Sequence, residues 1–266
     1  MKVAAVQMSP VSGDFERNFE FIRERSVEAF KEGADLVLFP ELSLSGYTLD
    51  PDILKRSYDF FLEIKDDVLK ITRTYDGSVV FGTPRLVGGK LRNSVVVFKK
   101  KREILFYDKI HLFRKEKEVF QPGEDFLVFD FKGWRFGVLV CYEIGFPEVS
   151  RVLALRGAEV ILSSFAFGRE RWRIYDTATK ARAIENVCYL VSSSTTGKGY
   201  MDFIGRSRIV HPSGEVLAEL EEKEGIVMAD LEKVVIDHYR YEEMGDSHAY
   251  FLSRKPEKYG EICRRY

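Results

Sequence analysis

Two segments of this chain share one pattern, in which a short aliphatic run is followed by an amphipathic helix pattern and then by another aliphatic run. The first unit spans residues 2–7, 18–31 and 35–39, and the second spans residues 136–140, 147–155 and 158–162. Apolar positions at helical spacing in the middle of each unit predict a helix that covers one face of a sheet. Two strands joined in this way pair in parallel through a right-handed crossover. The sequence therefore predicts an α/β fold built around parallel strands.

The rest of the chain continues the alternation of strands and helices. Further patterns predict helices at 58–74 and 170–185, and strands at 78–83, 94–98, 104–107, 126–130, 187–192, 204–210 and 226–230. No linker or low-complexity stretch divides the 266 residues. We therefore expect a single domain over residues 1–266.

Composition argues against several classes of partner. The formal net charge is -1, from 41 basic and 42 acidic residues, whereas nucleic-acid-binding proteins usually carry a basic excess. No apolar run approaches the roughly 18 residues that a membrane span needs. The N-terminus enters a strand pattern without the layout of a signal peptide. We expect a cytoplasmic protein that binds neither nucleic acid nor membranes.

The cysteines and histidines point to free thiols rather than to disulfides or a metal site. Cys141, Cys188 and Cys263 are widely spaced and odd in number, which is typical of a reducing compartment. The four histidines show no metal-ligand spacing with any cysteine. We therefore expect no bound metal.

Amide side chains are scarce, and charged residues make up 31% of the chain. Glutamine occurs twice and asparagine three times, at Gln7, Gln121, Asn18, Asn93 and Asn186. Depletion of thermolabile amides beside abundant Lys and Glu is typical of thermophilic proteins. We expect a thermophilic source.

Three residues of different chemistry follow predicted strands. Glu41 comes after the strand at 35–39, Lys109 after the strand at 104–107, and Cys141 directly after the strand at 136–140. Catalytic groups and ligands gather at the carboxyl ends of parallel strands. The sequence thus predicts an acid, a cation and a thiol at one edge of the fold.

These groups form a coherent nucleophilic site. A free thiol has a pKa of about 8.5, and a nearby cation such as Lys109 lowers that value while a carboxylate such as Glu41 accepts the proton. Partial desolvation would raise the pKa of Glu41 toward the range of a general base. The backbone N–H of Tyr142 would donate a hydrogen bond to a developing oxyanion.

Three segments resemble the motifs of the nitrilase superfamily, the carbon–nitrogen hydrolases. They are FPELSLSGY at 39–47, YDKIHLF at 107–113 and CYEIGFPE at 141–148, and RAIEN at 182–186 and RSRIVHPSGEVL at 206–217 resemble later landmarks of that family. The resemblance runs essentially end to end. It implies a four-layer α-β-β-α sandwich, a catalytic triad of Glu41, Lys109 and Cys141, and no organic cofactor. It also implies a second glutamate, at Glu118, that orients the substrate or the lysine.

Two departures from the family pattern leave the substrate open. Many members carry aspartate and arginine where this chain has Glu143 and Gly145, and the lost arginine bears on the recognition of anionic substrates. Phe167 lies where relatives often have tryptophan. We expect Tyr47, Tyr142 and Phe167 to bind the substrate. His111, two residues after Lys109, is an alternative base that faces away from the site if the strand continues.

The predicted reaction is hydrolysis of a small amide through a thioester on Cys141, with release of ammonia and a carboxylic acid. The same triad suits an N-carbamoyl group or a nitrile. Two other classes remain open, namely a glutaminase-type module that supplies ammonia to a separate synthetase and an inactive binding scaffold. The resemblance also implies a homodimer or a higher even homo-oligomer. Aromatic residues in the tail, 245–266, predict that this tail lies at the subunit interface.

Overall fold

Two six-stranded β-sheets form the centre of the computed structural model, which describes residues 1–100 and 103–264. Residues 265 and 266 of the predicted tail lie outside this described part. The strands are β1 (Lys2–Gln7), β2 (Leu36–Leu38), β3 (Ser78–Val87), β4 (Lys90–Lys99), β5 (Glu103–Asp108), β6 (Val128–Phe131), β7 (Trp134–Val140), β8 (Val160–Phe165), β9 (Tyr189–Ser194), β10 (Thr196–Lys198), β11 (Asp202–Ile204), β12 (Arg208–Val210), β13 (Val216–Glu219) and β14 (Gly225–Asp230).

Each sheet has three parallel strands at its centre. The first sheet has the order β14-β1-β2-β3-β4-β5, and β1, β2 and β3 are parallel. The second has the order β13-β12-β9-β8-β7-β6, and β7, β8 and β9 are parallel. Antiparallel strands flank each trio, and β10 and β11 form a separate hairpin. Both predicted strand–helix–strand units are therefore confirmed.

Helices cover the outer face of each sheet. They are α1 (Phe15–Lys31), α2 (Pro51–Tyr75), α3 (Glu116–Val119), α4 (Pro147–Leu155), α5 (Trp172–Asn186), α6 (Lys233–Tyr241) and α7 (Tyr250–Ser253). α1 and α2 pack on the first sheet, and α4 and α5 pack on the second. Residues of β1 alternate between the two cores, because Ala4 and Val6 face the helices while Val3 and Ala5 face the other sheet. The four-layer α-β-β-α sandwich is confirmed.

Helix α2 begins well before the predicted start at residue 58. Asp50 caps the helix, since its Oδ1 accepts hydrogen bonds from the backbone N–H of Asp52 at 2.9 Å and of Ile53 at 3.3 Å. Pro51 occupies the first turn, where its missing N–H costs nothing. The first two turns carry few apolar residues, so hydrophobic periodicity alone could not locate this end.

The chain beyond β14 is helical in short pieces. After α6 and α7 come two 3-10 turns, Pro256–Lys258 and Gly260–Cys263. Arg240 in α6 is buried and donates a hydrogen bond to the carbonyl oxygen of Val187 at 3.0 Å, which anchors the helix to the second half of the fold. That the tail, residues 245–266, lies at a subunit interface stays a prediction. In the described residues, no helix is long and apolar enough to span a membrane.

Candidate active site

The ends of β2, β5 and β7 bring Glu41, Lys109 and Cys141 together in the interior. Glu41 and Lys109 are almost fully buried, and Cys141 is 6% exposed. Cys141 leaves β7 with φ of 48° and opens the 3-10 turn Cys141–Gly145, and Leu42, next to Glu41, also has φ of 48°. Left-handed backbone at residues other than glycine is strained and concentrates at functional sites.

Lys109 is the centre of the cluster. Its Nζ lies 2.7 Å from Oε1 of Glu41 and 2.9 Å from Oε2 of Glu116. All three side chains are nearly inaccessible to solvent. One ammonium group thus neutralises one carboxylate and is shared with a second, which leaves the ionised cluster with a formal charge of about -1 when the thiol is protonated.

Further donors fix the carboxylate of Glu41. Asn93 Nδ2 donates to its Oε1 at 2.8 Å, and the backbone N–H of Ala166, at the end of β8, donates to its Oε2 at 3.1 Å. Gly82 in β3 lies directly against this loop, where a Cβ atom would come within 2.2 Å of the backbone nitrogen of Leu42. The close approach of two backbones therefore requires glycine at this position.

The carboxylate of Glu116 has an equally full set of partners. Tyr47 Oη donates to its Oε1 at 2.9 Å, and the backbone N–H of Phe113 donates to its Oε2 at 2.7 Å. Asn93 Nδ2 lies 3.3 Å from its Oε1 and so links the two glutamates. Glu116 is held in place both by the lysine and by neutral donors.

The second glutamate that contacts Lys109 is Glu116, whereas the sequence-based expectation named Glu118. The side chain of Glu118 is exposed, and it makes no hydrogen bond or ion pair with any described residue. Both residues belong to α3, and positions two apart on a helix point in roughly opposite directions. Arg114, with φ of 45°, lies in the turn before this helix.

The protonation equilibria of the cluster are strongly shifted. Burial and the charge of Glu116 raise the pKa of Glu41, although the charge of Lys109 and its hydrogen bond oppose the shift. Burial lowers the pKa of Lys109, but the charges of Glu116 and Glu41 outweigh it and raise that pKa above its ordinary value. Lys109 therefore stays an ammonium ion at physiological pH, and the raised pKa of Glu41 suits a proton acceptor.

The pKa of the Cys141 thiol shifts in the opposite direction from the sequence-based expectation, which was that Lys109 lowers it. Burial and the charge of Glu41 raise the pKa of the Cys141 thiol well above its usual range, and Lys109 compensates only in part. Lys109 pairs with two carboxylates, so its positive charge does not offset the effects of burial and of Glu41 on the thiol. The thiol is therefore protonated before the reaction begins. Attack by sulfur then requires transfer of the thiol proton to Glu41.

A separate buried carboxylate, that of Glu143, joins the strand ends that carry Lys109 and Cys141. Its Oε1 accepts from the backbone N–H of Ile110 at 2.9 Å and of His111 at 3.1 Å, and its Oε2 accepts from the N–H of Val140 at 2.8 Å. Tyr107 Oη lies 2.8 Å from both oxygens. Glu143 fixes the spacing of the two strand ends.

The residues predicted to bind substrate take different positions around the cluster. Tyr47 is buried against Glu116, and Phe167 is 1% exposed one residue after Ala166. Tyr142 is half-buried, with its ring 5.0 Å from that of Phe113. His111 places its Nδ1 3.4 Å from Oε1 of Glu143 and stacks on Phe146 at 4.2 Å, although β5 ends at Asp108 and does not continue to it.

Sequence reasoning missed Asn93 and Glu116. The only available signal for Asn93 was the pairing of β4 with β5, in which Asn93 accepts the backbone hydrogen bond of Lys109 at 2.8 Å. That register places its side chain beside the lysine. Within the described ranges, no group of three or more His, Cys, Asp or Glu side chains is arranged to hold a metal ion.

The chain is similar over most of its length to carbon–nitrogen hydrolases. The family model of the carbon–nitrogen hydrolases matches residues 2–241. A protein from Pyrococcus abyssi named nitrilase is 34% identical, over 97% of this chain and 99% of its own. An (R)-stereoselective amidase from a Pseudomonas species is 32% identical, over 92% of this chain and 91% of its own.

A solved structure shares the whole architecture. It is an amidase from Nesterenkonia sp. AN1, a variant with the acetamide moiety of fluoroacetamide covalently added at the active-site cysteine. It is 27% identical with a TM-score of 0.83, and the match covers 97% of this chain and 94% of that one.

Proposed function

The chain belongs to the carbon–nitrogen hydrolase family, and we propose that it is an amidase that forms a thioester on Cys141. The observation that carries this proposal is the enclosed cluster in which Lys109 binds Glu41 and Glu116 beside the thiol. A carboxylate with a raised pKa, a fixed cation and a thiol are the parts that nucleophilic attack on an amide carbon requires. The relatives named as amidases support the same chemistry.

In the acylation half of the reaction, Sγ of Cys141 attacks the amide carbon as Glu41 takes the thiol proton. The carbonyl oxygen becomes an oxyanion, and Lys109 Nζ and the backbone N–H of Tyr142 stabilise its charge. Glu41 then gives the proton to the amide nitrogen, the C–N bond breaks and ammonia leaves. The acyl group remains bound to sulfur as a thioester.

In the second half, Glu41 takes a proton from a water molecule that attacks the thioester carbon. The C–S bond breaks, the proton returns to sulfur, and a carboxylic acid is released. Lys109 keeps its proton throughout, in accord with its raised pKa. Glu116 acts as a positioning residue, since it binds the same ammonium group as Glu41.

A panel of small amides, N-carbamoyl amino compounds and nitriles, with ammonia release as the readout, tests this proposal. The panel also separates amidase from nitrilase activity, which the name of the Pyrococcus abyssi relative makes the second candidate. We expect Cys141→Ala to lower turnover by more than about 10³-fold, since a triad acts as one unit. Mass spectrometry of the wild-type protein during turnover should show an acyl adduct.

The matched control is Cys188→Ala. Cys188 is also fully buried, but its Sγ faces the carbonyl oxygen of Arg182 at 3.8 Å in the second half of the fold. This variant should hydrolyse amides at the wild-type rate. Substantial ammonia release by Cys141→Ala would overturn the assignment of the nucleophile, and a panel without any turnover would favour the inactive scaffold.

A further inference from the structure

The RAIEN segment at residues 182–186 has no part in the reaction described above. It forms the carboxyl end of α5, a helix that packs against the turn that carries Cys141. Arg182 is the buried charged residue of this segment, with 8% of its surface exposed. A buried guanidinium group needs acceptors for its N–H groups, so the partners of Arg182 indicate what this residue holds in place.

The first partner of Arg182 belongs to the turn that carries the nucleophile. Nε of Arg182 donates to the carbonyl oxygen of Ile144 at 3.0 Å, and Ile144 lies in the 3-10 turn Cys141–Gly145, which we call the nucleophile turn. In 3-10 geometry this carbonyl oxygen would accept a hydrogen bond from the N–H three residues later. That residue is Pro147, which has no N–H. Arg182 therefore supplies the donor that the local sequence lacks.

Two other members of the RAIEN segment fix Arg182 itself. Nη1 of Arg182 donates to Oε2 of Glu185 at 2.8 Å, one helical turn further along α5. The carbonyl oxygen of Arg182 accepts a hydrogen bond from Nδ2 of Asn186 at 2.9 Å. These contacts hold the guanidinium group in one orientation, with its Nε directed at the nucleophile turn.

The nucleophile turn has a second attachment, through the side chain of Glu143. Its carboxylate accepts a hydrogen bond from the backbone N–H of Val140 at 2.8 Å, directly before the turn. Between Val140 and Ile144 lie Cys141, with φ of 48°, and Tyr142, whose N–H stabilises the oxyanion in the proposed reaction. A strained backbone of this kind persists only where the surrounding structure fixes it. The two attachments therefore set the positions of the thiol and of this N–H together.

We infer that Arg182 is a positioning residue for the nucleophile, because it fixes the carboxyl end of the nucleophile turn from α5. This inference rests on the proposed amidase function. Without Arg182 the carbonyl oxygen of Ile144 loses its donor, and the turn relaxes from the strained conformation at Cys141. Sγ of Cys141 then moves relative to Glu41, and the N–H of Tyr142 moves relative to the oxyanion. Arg182 acts through the turn and does not touch the substrate.

The first test removes the N–H donors of Arg182 and keeps an apolar side chain. Arg182→Met should lower kcat for a small amide by roughly 10²-fold, the size of effect that a displaced reacting group produces. KM should stay within about threefold of the wild-type value, because the change displaces reacting groups rather than substrate contacts. Arg182→Lys keeps the charge but not the planar donors, so it should restore part of the loss and leave kcat roughly 10-fold below the wild type.

The matched control is Arg240→Met. Arg240 is 4% exposed, and its Nε also donates to a backbone carbonyl oxygen at 3.0 Å, but this carbonyl belongs to Val187, outside the nucleophile turn. Both Met variants should unfold at lower urea concentration than the wild type, and only Arg182→Met should lose more than about threefold in kcat. Equal losses of kcat in the two variants would make Arg182 a structural residue only and would overturn the inference. If the Met variants do not fold, Arg182→Lys and Arg240→Lys provide the same comparison.

Alkylation of Cys141 by iodoacetamide separates this inference from the amidase proposal, since it requires no amide hydrolysis. Peptide mass spectrometry measures the rate at Cys141, with the exposed Cys263 as an internal reference. The relative rate at Cys141 should fall about 10-fold or more in Arg182→Met, because Sγ no longer lies where Glu41 takes its proton, and should stay at the wild-type level in Arg240→Met. An unchanged or higher relative rate in Arg182→Met would overturn the role of Arg182. A lower relative rate, in a protein whose wild type releases no ammonia from any amide, would sustain that role and overturn only the amidase proposal.

Discussion

Two buried groups, one with two carboxylates and the other with a single carboxylate, lie at neighbouring strand ends and are stabilised in different ways. Glu41 and Glu116 share the ammonium group of Lys109. Glu143 has no lysine or arginine partner among the described residues, and backbone N–H groups and Tyr107 bind its oxygens. Both groups are inaccessible to solvent.

This difference indicates that the first group takes part in the reaction and that the second supports the structure around it. In the first group one proton acceptor, one cation and one thiol interact, so the charge of each member changes the pKa of the others. In the second group the donors are fixed parts of two strand ends, and the carboxylate holds them together. Substitutions in the first group should change the reaction, and those in the second should mainly change stability.

The largest effect is expected from loss of Lys109. Lys109→Ala leaves two buried carboxylates without their cation, which typically costs about 3–5 kcal/mol of stability, and kcat/KM should fall by more than about 10³-fold. Lys109→Arg should not restore activity, because a planar guanidinium cannot replace a compact ammonium between Glu41 and Glu116. Denaturant unfolding and ammonia release measure the two effects.

The control for this change is Lys117→Ala, which removes an exposed lysine of α3. It should leave both stability and turnover at the wild-type level. If Lys109→Arg is nearly as active as the wild type, only the positive charge is needed, and the lysine does not contact the reacting atoms.

The next effect distinguishes Glu116 from Glu118. Glu116→Gln should lower kcat/KM by roughly 10²-fold, as expected for a misplaced catalytic group, whereas Glu118→Gln should remain at the wild-type level. Glu41 acts as a base only when deprotonated, so activity falls as pH decreases through its raised pKa. The charge of Glu116 raises the pKa of Glu41, so removal of that charge should lower this pKa and move the acid limb of the kcat/KM profile to lower pH.

Profiles of the two variants, measured side by side, decide between the glutamates. An acid limb that moves in Glu118→Gln but not in Glu116→Gln would contradict the arrangement described above. Equal losses of activity in both variants without a shift would mean that neither glutamate acts on Glu41.

The triad and the layers of the fold could be predicted from the sequence, but the second glutamate could not. Glu41, Lys109 and Cys141 each come shortly after an apolar strand, and the sequence pattern locates those strand ends although β5 is an antiparallel edge strand and β7 belongs to the other sheet. Glu116 and Glu118 lie in one run of charged residues without periodicity. Which of the two contacts Lys109 is a tertiary feature that this run of charges does not indicate.

The unpredicted parts of the site share this dependence on tertiary geometry. Asn93 is a polar residue inside a strand, and only the register of β4 with β5 reveals its contact with Glu41. The pKa of Cys141 depends on burial and on the number of nearby carboxylates, neither of which a sequence pattern counts.

A smaller effect is expected from Glu143→Gln. The amide keeps the shape of the side chain, but its nitrogen faces N–H donors, which should cost about 2–3 kcal/mol because buried donors lose their acceptor. The acid limb of kcat/KM should stay at its wild-type pH, since Glu143 is not among the groups that shift the pKa of Glu41. Tyr107→Phe, which removes one donor, should cost about 1 kcal/mol.

Urea unfolding of the two variants, together with their pH profiles, tests this supporting role. A shift of the acid limb in Glu143→Gln would show that the two carboxylate groups act as one electrostatic unit. Unchanged stability would show that Glu143 does not hold the strand ends together.

The smallest effect is expected from His111→Ala, which tests whether the second group contains a hidden cation or base. The imidazole Nδ1 lies 3.4 Å from Glu143, and the side chain is 32% exposed. Solvent screens a contact of this kind, and Glu143 already has stronger donors, so the loss should be below about 1 kcal/mol in stability. Turnover should stay within about threefold, equivalent to less than 1 kcal/mol of barrier. A loss comparable to that of Cys141→Ala would identify His111 as the base and would remove the distinction between the two groups, because both would then take part in the reaction.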